Sequence, residues 1–263
     1  MTDRRERPPL AVILPAAVAA GFFVVPLAGL VSRAPWADLG EELGSEEVRQ
    51  ALSLSIASSL SATAVSATLG IPLAWILARS RFPGLRLLRA LTILPMVLPP
   101  VVGGVALLAA FGPTGLAGQW LQRWLGVSLP LTPAGVVLAE AFVAMPFLVI
   151  TAEAAFRSCD RRLEEAARTL GAGRWATFCR VTLPLARPSL MAGAVLCWAR
   201  ALGEFGATVT FAGNLPGRTQ TIPLKVYLLL DTRPQAAIVL SLVLLGVSLV
   251  VLVGLRSRWL GAL

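Results

Sequence analysis

The chain has 263 residues, of which 56% are hydrophobic and only 14% are charged, and its mean hydropathy is +0.77. These values exclude an ordinary soluble domain of this length and indicate a membrane protein. The chain contains no histidine and no Gly-rich Lys-Ser/Thr phosphate loop, which excludes His-containing metal sites, Ser-His or Cys-His catalysis and P-loop binding of ATP.

A helix needs about 20 apolar residues to cross a bilayer, and six segments of the chain meet this requirement. We therefore predict an all-α, polytopic membrane protein with one transmembrane domain over residues 1–263. No stretch remains for a soluble catalytic domain, so we expect no enzyme activity from this chain by itself. The predicted spans are about 10–31, 51–78, 90–111, 134–156, 189–212 and 236–255.

The basic residues divide unequally between the two sides of these spans. Sixteen arginines, among them Arg4, Arg5, Arg7, Arg256 and Arg258, fall on one side, and six Lys or Arg residues fall on the other. By the positive-inside rule, both termini and the loop 157–188 are predicted to be cytoplasmic. The net charge of +9 is explained by these topogenic charges facing anionic lipid, so we expect no nucleic-acid partner.

The second span contains eight Ser and Thr residues, which we interpret as helix–helix contacts, and contact with a polar solute is the alternative. The third span opens with LPMVLPPVVGG, in which Pro95, Pro99 and Pro100 should disrupt the helix. Broken backbone at membrane depth is tolerated where it is buried in protein or lines a watery cavity. Pro99 and Pro100 are therefore candidates for a translocation path or gate, and a structural kink is the alternative.

The loop after the fourth span should fold into two short helices. Asp160 is a candidate N-cap for a helix over 163–170, and Gly171 can end that helix with a positive φ. A second helix is predicted from about residue 174 to 181, with Pro184 as its stop signal.

The fifth span places Arg200 and Glu204 four residues apart, so the two can share a helix face and pair. Glu140 in the fourth span is another candidate partner, whereas Glu153 lies close enough to a span end to reach the interface. Charge inside a membrane faces a partner or a water-filled space. Arg200, Glu204 and the nearby Gly206 are thus either a structural group or part of a translocation path for an anion.

On the other side of the membrane, 114–126 and 222–230 are predicted to be interfacial helices, with Trp120, Trp124 and Tyr227 as anchors. Contact with a substrate-delivering protein is the alternative. Five acidic residues near the second span are expected to be solvated: Asp38, Glu41, Glu42, Glu46 and Glu47.

Residues 165–184 read EAARTLGAGRWATFCRVTLP, and this stretch resembles the permease signature of ABC importers. The resemblance implies a type I ABC importer permease fold in which this loop docks onto a separate ATPase subunit. Stretches 79–84, 94–104 and 199–227 resemble molybdate ABC transporter permeases, which implies molybdate as cargo. The residues that match the signature are Glu165, Ala166, Ala167, Gly171, Val181 (in place of the usual Ile), Leu183 and Pro184.

The resemblance further implies a homodimer in the bacterial inner membrane, with membrane lipid around it. Two cytoplasmic ATPase subunits would bind ATP and Mg, and an extracytoplasmic binding protein would deliver molybdate, so this chain is expected to hold no cofactor and no metal. Lys225 stands where a neutral residue is expected. Tungstate or sulfate as cargo, and a secondary transporter or channel that needs no ATPase, remain alternatives.

Overall fold

The computed structural model describes residues 9–37 and 39–259, and every regular element in that part of the chain is a helix. In chain order these are α1 (Leu10–Ser32), α2 (Leu39–Gly44), α3 (Glu46–Arg79), α4 (Leu85–Val97), α5 (Pro100–Phe111), α6 (Gly118–Leu125), α7 (Pro133–Ser158), α8 (Arg161–Thr169), α9 (Arg174–Thr177), a π-helical turn (Phe178–Thr182), α10 (Leu183–Leu202), α11 (Gly206–Phe211), α12 (Ile222–Thr232) and α13 (Pro234–Trp259).

Five of the described helical segments are long and apolar enough to cross a membrane. They correspond to the first, second, fourth, fifth and sixth predicted spans, so the all-α, multi-pass prediction is confirmed. The third predicted span is present as two shorter helices, α4 and α5. Arg4, Arg5, Arg7 and Asp38 lie outside the described residues.

The centre of the fold is formed by α3, α7 and α10, which pack against one another along their length. Small residues allow this close approach. An added Cβ at Gly70 of α3 would lie 3.0 Å from Val149 of α7, and one at Gly193 of α10 would lie 3.0 Å from Leu148 and Thr151. The interpretation of the serines in the second span as contact residues agrees with this packing, because Ser58 and Ser59 are buried there.

The break between α4 and α5 lies at Leu98 and Pro99, as the proline-rich sequence predicts. Leu98 is extended (φ −66°, ψ 136°), which is the conformation that a following proline favours. Pro100 then occupies the first turn of α5, where its missing N–H leaves no hydrogen bond unmade.

The prediction of one continuous fifth span over 189–212 is wrong. The helix α10 ends at Leu202, residues 203–205 are not helical, and the short α11 follows. The break is stabilised because the buried Glu204 carboxylate accepts a hydrogen bond from the Ala207 backbone N–H at 2.8 Å. This side chain satisfies a donor that the interrupted helix leaves free.

The prediction that Pro184 stops the second loop helix is also wrong. Helical backbone continues from Arg174 to Leu202 through a π-helical turn at Phe178–Thr182. In that turn the Leu183 N–H bonds to the Phe178 carbonyl, five residues back. The wider turn therefore lets Pro184 enter the first turn of α10 without ending the helix.

Helices form at both predicted interfacial positions, as α6 and α12. The acidic residues Glu41, Glu46 and Glu47 are exposed, as expected, and Glu42 is half-buried at 3.8 Å from Arg233. Two of the exposed carboxylates also have partners, since Glu46 pairs with Arg49 and Glu47 lies 2.6 Å from the buried Lys225 ammonium. The Glu47 contact explains how a lysine is accommodated at 225, since the buried ammonium has a charged partner.

Candidate functional site: the elbow and the broken helices

The segment 160–184, here called the elbow, connects α7 to α10 and contains all seven residues of the sequence signature. Asp160 caps α8, because its carboxylate accepts a hydrogen bond from the Arg162 N–H at 2.9 Å. At the other end Gly171 has φ +89°. The Gly171 N–H bonds to the Arg168 carbonyl, and the Ala172 N–H bonds to the Ala167 carbonyl, which is the Schellman arrangement. The predicted N-cap at Asp160 and the predicted positive φ at Gly171 are confirmed, and the helix begins two residues earlier than predicted.

A buried polar cluster fixes the elbow to the rest of the protein. The Arg79 guanidinium at the end of α3 lies 2.7 Å from the Glu164 carboxylate and also donates to the Cys159 carbonyl at 3.3 Å. The Thr182 hydroxyl donates to the same Glu164 oxygen at 3.0 Å. Glu164 thus joins α3, α8 and the π turn.

Aromatic rings support the same junction from its apolar side. The Phe178 ring lies 5.6 Å from the Trp75 ring in an edge-to-face arrangement and 5.7 Å from the Trp175 ring in a stacked one. Phe156 of α7 is 6.1 Å away. These distances are in the range at which aromatic pairs attract. The elbow is consequently held by both polar and aromatic contacts.

The outer face of the elbow is exposed and unusually apolar for a helix so rich in arginine. Glu165 and Ala166 are exposed, while Leu163, Leu170 and Trp175 are 48%, 87% and 76% exposed. Large exposed apolar side chains on an ordered segment are typical of a surface that contacts a partner protein or a membrane. Of the other signature residues, Ala167, Val181 and Leu183 are half-buried and Pro184 is exposed.

The sequence did not identify Glu164, Arg79 or Phe178 as functional residues. Glu164 and Glu165 are adjacent and chemically identical, so no pattern shows which one the fold buries. The only sequence signal is that Arg79 ends an apolar span, where a basic residue needs a partner if the loop folds back over it.

Burial raises the pKa of the Cys159 thiol beside this cluster. The thiol is therefore protonated and weakly nucleophilic at neutral pH.

Two of the candidate path residues, Pro100 and Gly206, lie where α5 contacts α11. An added Cβ on Gly206 would lie 2.7 Å from Pro100 Cβ and 3.3 Å from the Val101 backbone nitrogen. Likewise, a Cβ on Gly104 would lie 2.5 Å from Thr210. The start of α5 and α11 thus touch through glycine, which brings Pro100 and Gly206 together.

Arg200 and Glu204 form the predicted pair, with 2.6 Å between the guanidinium and the carboxylate. Glu204 is buried, while the Arg200 side chain is 28% exposed and can present charge to its surroundings. Glu140 does not pair with Arg200; it accepts a hydrogen bond from the Ser58 hydroxyl at 2.8 Å. The prediction that Glu153 reaches the interface is wrong, since it is buried between Arg89 and Arg157 at 2.8 and 2.7 Å.

Residues 70–261 match the family described as the binding-protein-dependent transport system inner membrane component. The chain belongs to this family. It is 45% identical, over 94% of its length and 93% of the relative's, to the molybdenum transport system permease protein ModB of Mycobacterium tuberculosis. Its identity to the sulfate transport system permease protein CysT of Escherichia coli is lower, 36% over 89% of the chain and 86% of the relative.

A solved structure shares the fold with a TM-score of 0.71 at 20% identity, covering 93% of this chain and 91% of the other. It is described as a bacterial alginate ABC transporter in complex with an alginate pentasaccharide-bound periplasmic protein. The expected type I permease fold is confirmed.

Proposed function

We propose that this chain is the membrane-spanning permease of an ATP-driven ABC importer that moves molybdate into the cell. The observation that carries the importer assignment is the anchored elbow with its exposed apolar face, on a chain of the binding-protein-dependent transport family. The higher identity to molybdenum than to sulfate permeases supports molybdate as cargo.

In this proposal the elbow receives the ATPase, and α10 carries its movement to the path. One helical segment of 29 residues, Arg174–Leu202, runs from the elbow to the break at 203–205. At 1.5 Å per residue it is roughly 43 Å long, enough to cross a bilayer. Glu164 ties α8 to both α3 and the start of this segment, so a push on the elbow displaces them together.

At the far end of α10, the proposed path contains Arg200, Glu204 and Gly206 together with Pro99 and Pro100. Arg200 would offer positive potential to a dianion, and Glu204 would hold the guanidinium in place. The glycine contact between α5 and α11 lets these two short helices move as one unit against α10. Non-helical backbone next to a charged pair at membrane depth supports this location, since such backbone is stable where it lines a watery cavity.

The assembly we propose has two copies of this chain around one path, two ATPase subunits that bind ATP and Mg, and an extracytoplasmic binding protein. Both termini and the elbow face the cytoplasm in the bacterial inner membrane. Large exposed apolar side chains on the described spans, such as Phe22 in α1 and Val101 in α5, supply the surface for lipid and for the second copy.

Docking is tested by Ala166→Arg, which places a long cation on the exposed elbow face. Ala37→Arg makes the same change at an exposed position on the opposite side of the membrane. We expect A166R to lose the co-purifying ATPase and A37R to retain it. Equal recovery of the ATPase with both variants would overturn the docking assignment.

Topology is tested by Arg218→Cys, because Arg218 is exposed in the loop between α11 and α12. A membrane-impermeant maleimide should label this variant in intact cells above the wild-type background. That background should be low, since Cys197 is buried and the half-buried Cys159 and Cys179 lie on the side of the membrane that we propose is cytoplasmic. Labelling that requires permeabilised cells would invert the proposed orientation.

A further inference from the structure

A cavity of about 750 Å³ lies beside the elbow. It is bounded by the end of α3, the α3–α4 loop, the start of α4, the last residues of α7 and the first residue of α8. No acidic residue is among the described residues that line it. Its walls include six arginines, which come from five different segments: Arg79, Arg81, Arg86, Arg89, Arg157 and Arg161.

Only part of this positive charge is neutralised. Glu164 pairs with Arg79, and Glu153 is shared by Arg89 and Arg157. Within residues 9–37 and 39–259, no acidic side chain forms an ion pair with Arg81, Arg86 or Arg161. Six guanidinium groups therefore surround one cavity with two carboxylates in contact, which is the composition of an anion site.

The surroundings of the cavity are amphipathic rather than uniformly polar. Phe82 lines it and is 44% exposed. Arg86 belongs to the first turn of α4, and farther along that helix Leu87, Leu91 and Leu94 are exposed. An anion bound at the arginines would thus sit where an apolar helix begins, at the depth of lipid headgroups, with apolar side chains available for acyl chains.

The geometry points to a binding site for the phosphate of an anionic phospholipid in this cavity. Arginine forks match phosphate oxygens, and basic pockets between helices on the cytoplasmic side bind anionic headgroups. Free phosphate shares the headgroup chemistry but makes no use of the apolar helix beside it. The inference rests on the proposed function for its orientation, which puts the cavity on the cytoplasmic side.

A bound lipid would also contact the elbow. Arg161 is the first residue of α8, and Arg79 holds Glu164. The lipid phosphate would therefore bridge the membrane surface and the segment that we propose receives the ATPase.

The test uses the permease purified with its ATPase and native mass spectrometry of retained lipid. Phosphatidylglycerol and phosphatidylcholine of the same acyl chains are the two probes, and excess inorganic phosphate is the competitor. The test variant is R81Q/R86Q, since both side chains are exposed and their loss removes no ion pair seen in the described residues. The matched control is R33Q/R187Q, which removes two exposed arginines that lie outside both the cavity and the elbow.

We expect wild type and R33Q/R187Q to retain phosphatidylglycerol in preference to phosphatidylcholine. Each arginine near an anionic headgroup is worth about fivefold in affinity, so R81Q/R86Q should bind roughly 25-fold more weakly. Equal retention of the two lipids, or equal retention by the two variants, would overturn the proposal. Displacement by inorganic phosphate would assign a free-anion site and overturn the lipid. None of these results depends on transport. The proposed function is tested separately, by measuring molybdate uptake by the wild-type complex.

Discussion

At the residue scale, two adjacent glutamates of the elbow have different surroundings. Glu164 is buried against Arg79 and Thr182, whereas Glu165 is exposed beside Ala166. The helix turns about 100° per residue, so neighbours on it face different surroundings. We infer that Glu164 positions the elbow and that Glu165 belongs to the surface that meets the ATPase.

The first prediction separates these roles with Glu164→Ala and Glu165→Ala. Removing Glu164 leaves a buried guanidinium unpaired, which costs roughly 3 kcal/mol, while an exposed change costs within about 0.5 kcal/mol. We expect E164A to speed tryptic cleavage of the solubilised permease at Arg161, Arg162 and Arg168. E165A should be cleaved at the wild-type rate, yet less ATPase should co-purify with it. Identical cleavage rates for the two variants would contradict the assigned roles.

The second prediction concerns the end of α8. Gly171→Ala forces a Cβ into the left-handed region at φ +89°, which costs about 1 kcal/mol. Gly173→Ala is the control, because Gly173 has φ −65° and an added Cβ meets nothing within 4 Å. The permease–ATPase complex should lose thermal stability with G171A only. A matching loss with G173A would show that the elbow responds to any added side chain, whatever the φ.

At the element scale, the two broken helices are the feature that places the candidate path. The α5–α11 contact depends on Gly104 and Gly206, and the break before α11 depends on Glu204. Because the interruption lies at the end of α10 opposite to the elbow, we infer that a movement of α10 would shift both short helices.

The third prediction tests the α5–α11 contact with Gly206→Ala and Gly203→Ala. A Cβ at 206 would lie 2.7 Å from Pro100 Cβ, so α11 must shift, whereas a Cβ at 203 meets its nearest atom at 3.6 Å. Molybdate uptake, normalised to assembled complex, should fall with G206A and stay near wild type with G203A. Wild-type uptake by G206A would remove this contact from the gate.

The fourth prediction concerns the charged pair in the same region. Exchanging Arg200 and Glu204 preserves their attraction but removes the acceptor for the Ala207 N–H, since arginine has no acceptor. R200E/E204R should therefore transport as poorly as E204R, while E204Q, which keeps an acceptor oxygen, should be milder. Uptake restored to the wild-type level by the double exchange would make the pair purely structural.

The sequence was sufficient for the features that local chemistry determines. Apolar length predicted the spans, Asp160 and Gly171 predicted the ends of α8, and Pro99 predicted the break after α4. The sequence was insufficient where contacts between distant residues or an unusual turn determine the backbone conformation. The break at 203–205 needs a buried Glu204 to accept the Ala207 N–H, and the passage of Pro184 into α10 needs a π turn, and neither has a local pattern.

At the scale of the whole molecule, three features lie along one helical segment, Arg174–Leu202. The elbow lies at the start of this segment, and α3 and α7 pack against its middle. The Arg200–Glu204 pair and the non-helical residues 203–205 lie at its end. The sequence contains no P-loop motif, and we propose that the energy for transport arrives through the elbow from a separate ATPase.

The most direct test is to measure molybdate uptake and ATP hydrolysis together in proteoliposomes that contain this permease, its ATPase and its binding protein. We predict uptake that requires ATP, the ATPase and the binding protein, with ATP hydrolysis stimulated by the molybdate-loaded binding protein. Tungstate and sulfate added as competitors report the selectivity of the same preparation. Uptake that proceeds on an ion gradient without the ATPase would contradict the account.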